Sequence, residues 1–167
     1  MRKSSAALLT GTAVGAAAGA GSRFGPTPNH PRTAAWYARL NKPAVTPPGP
    51  VFGLAWTIMD GLLWFSGYRL FIQPAGPRRN LAVGLWGITM LGVGGFQYVL
   101  FGRKHLAQAA GVSAGMVAST AGLVAAAATV DKQAARALVP LALWTTLAFL
   151  LQEEVWRRNP QERANKK

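Results

Sequence analysis

The stretch Trp36–Trp64, WYARLNKPAVTPPGPVFGLAWTIMDGLLW, sets a proline-stiffened polar loop directly against an apolar run with one aspartate in its middle. The run from Pro50 to Ile72 is long enough to cross a bilayer, for which about 20 residues suffice. Three further runs of that kind follow, at Leu81–Phe101, Leu106–Val130 and Ala134–Trp156, and a shorter one, Ser5–Gly21, precedes them. Composition agrees. Of 167 residues 50% are hydrophobic and only 14% charged, with a mean hydropathy of +0.18. A water-facing domain of this size carries about 25% charge. The expected fold class is therefore an all-α integral membrane protein, a bundle of five transmembrane helices with a long structured first loop. The chain reads as a single membrane domain over 1–167: helices near 5–21, 50–72, 81–101, 106–130 and 134–156, loop one at 22–49, and a charged tail at 157–167.

The formal charge of +13 does not argue for nucleic acid, because the basic residues sit in the gaps between apolar runs rather than along one face. With the N-terminus outside, eleven of the eighteen Lys and Arg residues fall in inside loops, which favours N-out, C-in. The chain has no cysteine, so disulfides and thiolate metal sites are excluded. Its two histidines, His30 and His105, lie far apart in loops with no carboxylate at ligand spacing. No metal, no cofactor and no catalytic set is expected.

The first run has two readings. Its basic start and Ala18-Gly19-Ala20 suit a secretory signal peptide. Its Gly11, Gly15 and Gly19 suit a retained helix packed closely through small residues. The second is favoured, and Ala107, Gly111, Gly115 and Ser119 repeat the spacing in the fourth run. A homodimer is expected through such faces.

Phe52, Trp56, Asp60, Trp64 and Tyr68 recur every four residues and so share one helical face. A carboxylate at membrane depth costs roughly 3 kcal/mol on insertion scales and usually faces the bundle interior. Asp60 is thus a ligand-facing group or, on the plainer reading, a hydrogen-bonded packing device. In the last run Trp144, Ala148, Gln152 and Trp156 form a second stripe, with Ala148 leaving a gap between aromatic rings that a flat ligand or a neighbouring helix would fill. Loop one holds six prolines, Pro26, Pro28, Pro31, Pro43, Pro47 and Pro48, which favour a defined lid over a loose tether.

Taken together, Trp36-Tyr37, Leu40-Asn41-Lys42-Pro43, Pro47-Pro48, Val51-Phe52-Gly53 and Trp56-Thr57 resemble the TspO/MBR family, the tryptophan-rich sensory or translocator proteins. Phe101-Gly102-Arg103-Lys104, Pro140, Trp144, Ala148 and Asn159 extend the resemblance to the end of the last helix. It implies a multi-pass protein of a bacterial or organellar membrane, often dimeric. It also implies a pocket beneath loop one for tetrapyrroles such as protoporphyrin IX, or for sterol-like molecules, in contact with membrane lipid. Two tryptophans linked in that family to light-dependent porphyrin breakdown match Trp56 and Trp144. The resemblance places Trp36, Lys42, Pro47, Pro48, Phe52, Trp56, Asp60, Phe96, Trp144, Ala148 and Gln152 at the ligand site. The pattern also departs from the family at several of these points: Asp60 stands at an aromatic position, Val93 and Phe96 replace an Asn and a Trp, and Leu141 and Gln152 replace a Tyr and an Asn. The implied function is a membrane receptor, sensor or carrier, with porphyrin degradation and a purely structural role as alternatives.

Overall fold

The structure, a computed structural model, describes residues 1–164, and no strand occurs among them. The chain runs α1 (Lys3–Ser22), α2 (Pro31–Arg39), α3 (Gly49–Phe71), α4 (Pro77–Gln97), a π-helical turn (Tyr98–Gly102), α5 (Leu106–Ala128), α6 (Lys132–Arg158) and a short α7 (Gln161–Ala164). Prolines begin three of these helices, at the first or second position of α2, α3 and α4. There the missing N–H has no intrahelical partner to lose, and φ is already helical. Asp131 caps α6, accepting from the Gln133 and Ala134 N–H groups at 2.9 Å each.

Pro77–Gly102, Leu106–Ala128 and Lys132–Arg158 are each long and apolar enough to cross a membrane. Helices α1 and α3 are of comparable length, 20 and 23 residues. Alanine and glycine dominate α1, while Asp60, Arg69 and four glycines interrupt α3. The outward faces carry Leu54, Ile58, Leu91 and Leu143, all more than half exposed, as a lipid-facing surface requires. This is an integral membrane protein.

The long helices close a ring. Helix α1 packs on α3 and α4, α3 on α6, α6 on α5, and α5 on α4. The ring interior is filled from all sides by residues including Leu63, Trp86, Met116, Leu123 and Leu138. Close approach is achieved at particular glycines. A Cβ on Gly67 would lie 2.7 Å from the Trp86 indole, and one on Gly92 would lie 2.7 Å from Met116. Of the α1 series, Gly11 meets the Trp64 ring, whereas Gly15 and Gly19 face open space. Helix α1 instead meets α4 where Gly94 lies against the Ala17 backbone. Gly111 and Gly115 of α5 also face outward, so neither stripe packs the single chain throughout.

Loop one is ordered, and it contains a helix. Helix α2 buries Trp36 and Leu40 in a second cluster with Leu100, Phe101, Leu106, Ala109 and Val155, at the ends of α4, α5 and α6. The Asn41 N–H donates to Asn159 Oδ1 at 2.9 Å, and Asn159 Nδ2 returns a bond to the Asn41 carbonyl at 3.0 Å. Asn159, fully buried, therefore latches the loop to the end of α6.

Candidate ligand-binding site

Helix α3 presents Phe52, Trp56 and Asp60 on one face, and α6 presents Trp144 and Ala148 opposite. The aromatic rings meet. Phe52 and Trp144 lie edge to face with centroids 5.4 Å apart, and Trp56 and Trp144 at 6.5 Å and 85°. All three rings are half-buried, and Trp56 and Trp144 rest on the main core. Beside them, two polar atoms are fully shielded from solvent and have no hydrogen-bond partner among the described residues: Trp144 Nε1 and Asp60 Oδ1. Leaving a buried donor or acceptor unsatisfied costs about 1–3 kcal/mol, so such atoms ask for an explanation. Neither Arg nor Lys pairs with Asp60 in any of the ion pairs described.

The α3 stripe splits as it runs on. Trp64 turns toward α1 and donates from Nε1 to the Ala7 carbonyl at 3.1 Å, which binds two helices rather than lining the aromatic set. Phe96 packs against both the main core and the cluster under α2, joining the ring interior to the floor of loop one. Gln152 is buried, and its amide donates to the Leu106 carbonyl at 3.3 Å, a bond between α6 and α5. That interaction is of the packing kind.

Loop-one residues mostly fasten the loop to itself and to the bundle. Trp36 stands apart from Trp56 and Trp144; it is 6% exposed, within the second cluster, and donates from Nε1 to Glu162 at 3.3 Å. Lys42 folds back on its own loop, donating to the Tyr37 carbonyl at 2.6 Å and the Leu40 carbonyl at 3.2 Å, with its ammonium 4.6 Å from the centre of the Tyr37 ring. Partial burial lowers the Lys42 pKa, and burial raises that of Tyr37. Pro48 is itself the extended residue that caps α3, and Pro47, half-buried, precedes it.

A family model, described as the TspO/MBR family, matches residues 11–157. The chain belongs to the TspO/MBR family. It is 33% identical to the tryptophan-rich sensory protein of Cereibacter sphaeroides over 132 residues, 77% of this chain and 82% of that protein. It is 29% identical to protein CrtK of Rhodobacter capsulatus over 132 residues (77% and 81%), and 27% identical to the tryptophan-rich protein TspO of Bacillus cereus over 124 (74% and 80%).

Two further buried polar atoms without partners escaped the reading of the sequence. Gln97 Oε1 lies near the end of α4, its side chain against Gly21 of α1, and Thr46 Oγ1 lies in loop one beside Pro47. A signal for Gln97 was present: it is a polar residue at the edge of a membrane-spanning run, the kind that marks a site. Nothing in the sequence distinguished Thr46 from other loop hydroxyls.

Proposed function

We propose that the protein is a membrane receptor or carrier that binds a porphyrin-type tetrapyrrole against Trp56 and Trp144, beneath loop one. The single observation that carries this reading is the pairing of aromatic faces with unsatisfied polar atoms. A flat macrocycle stacks on indole rings, its pyrrole N–H donates to the Asp60 carboxylate, and a peripheral carboxylate accepts from Trp144 Nε1. Sites of this kind are mostly apolar, with a few placed polar groups that fix orientation. Arg32 and Arg39 of loop one are available for the outer carboxylates.

In this reading all five long helices cross the bilayer. At 1.5 Å per residue α1 and α3 span roughly 30 and 35 Å, matching a hydrocarbon core of about 30 Å. Two chains associate through the outward small-residue face of α5, where Gly111 and Gly115 permit close backbone approach.

The test is a titration of the purified protein with protoporphyrin IX, following tryptophan fluorescence. Saturable quenching at one ligand per chain is expected, weakened in Trp144→Leu. Quenching that never saturates, equal in wild type and Trp144→Leu, overturns the proposal.

A further inference from the structure

The end of the bundle remote from loop one is cationic and lacks the carboxylates to balance it. Of the chain's five acidic residues, Asp60 lies within α3, and Glu153, Glu154 and Glu162 lie at the loop-one end. Only Asp131 stands here, and it is fully engaged. Its Oδ2 accepts from Arg69 at 2.6 Å and from Gln73 at 2.9 Å, while its Oδ1 caps α6. Arg69 is thereby compensated, and Arg78, Arg79, Lys132 and Arg136 have no carboxylate partner among the described residues.

Two of these cations line a cavity of about 390 Å³ between the α3–α4 turn and the end of α5, walled also by Gln73 and Thr129. Arg79 is held in place there. It donates from Nε to the Leu70 carbonyl at 3.3 Å, from Nη2 to the Phe71 carbonyl at 3.3 Å and from Nη1 to Asn80 Oδ1 at 3.2 Å, and it lies 5.1 Å over the Phe71 ring. A guanidinium has five N–H donors. Three are used, so two remain on a group that is already oriented. The Arg78 side chain is exposed and makes no hydrogen bond or ion pair among the described residues.

We propose that this cavity binds the phosphate group of an anionic membrane lipid, with Arg78 and Arg79 as its ligands. Guanidinium groups match phosphate oxygens in geometry and charge. Basic pockets at the ends of membrane helices lie at the depth of lipid headgroups. The position, at the first turn of α4 beside the ends of α3 and α5, is where lipid headgroups lie, and it favours a lipid phosphate over a soluble one.

Thermal unfolding in lipid nanodiscs tests this. Discs of phosphatidylcholine alone are compared with discs containing increasing phosphatidylglycerol, and with phosphatidylcholine discs supplied with inorganic phosphate. The wild-type midpoint should rise and saturate with phosphatidylglycerol. Arg78→Gln, which breaks no bond of the folded chain, should need about tenfold more of that lipid for half the effect, the lower end for a lost charged hydrogen bond. Lys132→Gln removes a cation from the same end but outside the cavity, and should respond like wild type. Arg79→Gln should lose the response whatever its own starting stability. An equal response in wild type, Arg78→Gln and Arg79→Gln overturns the site. An equal rise from inorganic phosphate overturns the assignment to lipid.

Discussion

Replacing Asn159 with alanine should release loop one while leaving the bundle intact. In the folded chain Asn159 is fully buried, accepts from the Asn41 N–H at 2.9 Å and donates from Nδ2 to the Asn41 carbonyl at 3.0 Å. A net hydrogen bond is worth about 0.5–1.5 kcal/mol, and an orphaned group more if water cannot reach it. Asn41 itself is exposed, so water replaces part of each loss, and the lower half of that range applies. Two bonds then amount to roughly 1–2 kcal/mol of loop docking. At 1.36 kcal/mol per tenfold, the opening equilibrium shifts by about 5- to 30-fold. Amide exchange reads this directly, because local opening sets the exchange rate of protected N–H groups. Peptides covering α2 and Asn41 should exchange faster by that factor, while peptides from the middle of α5 keep their wild-type rate. Unchanged exchange across loop one would refute the latch. Faster exchange everywhere would mean that Asn159 holds the whole bundle rather than the loop.

Gly67→Ala should lower stability by about 1–3 kcal/mol, since its Cβ would meet the Trp86 ring at 2.7 Å while Trp86 Nε1 is tied to the Leu63 carbonyl. Gly61→Ala, with open space around its Cβ, should instead be neutral or gain up to about 1 kcal/mol, and unfolding midpoints compare the two. At Asp131 burial raises the carboxyl pKa, but the hydrogen bonds and charge of Arg69 and the Ala134 and Gln133 N–H groups outweigh it and leave the value lowered. Its contribution is therefore complete above the unfolded value of about 3.9 and is lost as pH falls through the lower folded value. Asp131→Asn should be less stable at pH 7 by about 2 kcal/mol, the worth of a hydrogen bond to a charged group, and converge on wild type in that acid window; a gap that persists below it contradicts the assignment. Gly111→Leu and Gly115→Leu should shift the protein toward monomer by light scattering, and unchanged mass in both would exclude the α5 face.

Helix positions were legible where apolar runs are bounded by proline or charge. The expected 50–72 is found at Gly49–Phe71, and the expected 106–130 at Leu106–Ala128. The expected 81–101 begins four residues early, at Pro77, because Arg78, Arg79 and Asn80 look like loop to a hydropathy reading although Pro77 starts the helix. Helix α2 is hidden for the same reason: Pro31 reads as loop stiffening, yet it initiates nine helical residues that bury Trp36. The Trp56–Trp144 meeting was legible only through the family resemblance, since periodicity places each residue on a face without saying which faces meet. The fastenings were not legible at all. The Asn41–Asn159 bonds and the Trp36–Glu162 bond join residues more than a hundred positions apart, and no local pattern encodes such pairs.

In the proposed site the unsatisfied polar atoms of Asp60 and Trp144 are kept for a ligand. Asp60→Leu tests it most directly when ligand-free stability and protoporphyrin IX affinity are measured on the same preparation. Replacing a buried acceptor that has no partner by an apolar side chain should stabilise the free protein by up to about 1–3 kcal/mol. Loss of the pyrrole hydrogen bond to Asp60 should weaken binding by about 2- to 13-fold. A variant that is more stable when empty and poorer at binding is the predicted result. A variant that binds normally and is no more stable would contradict the account.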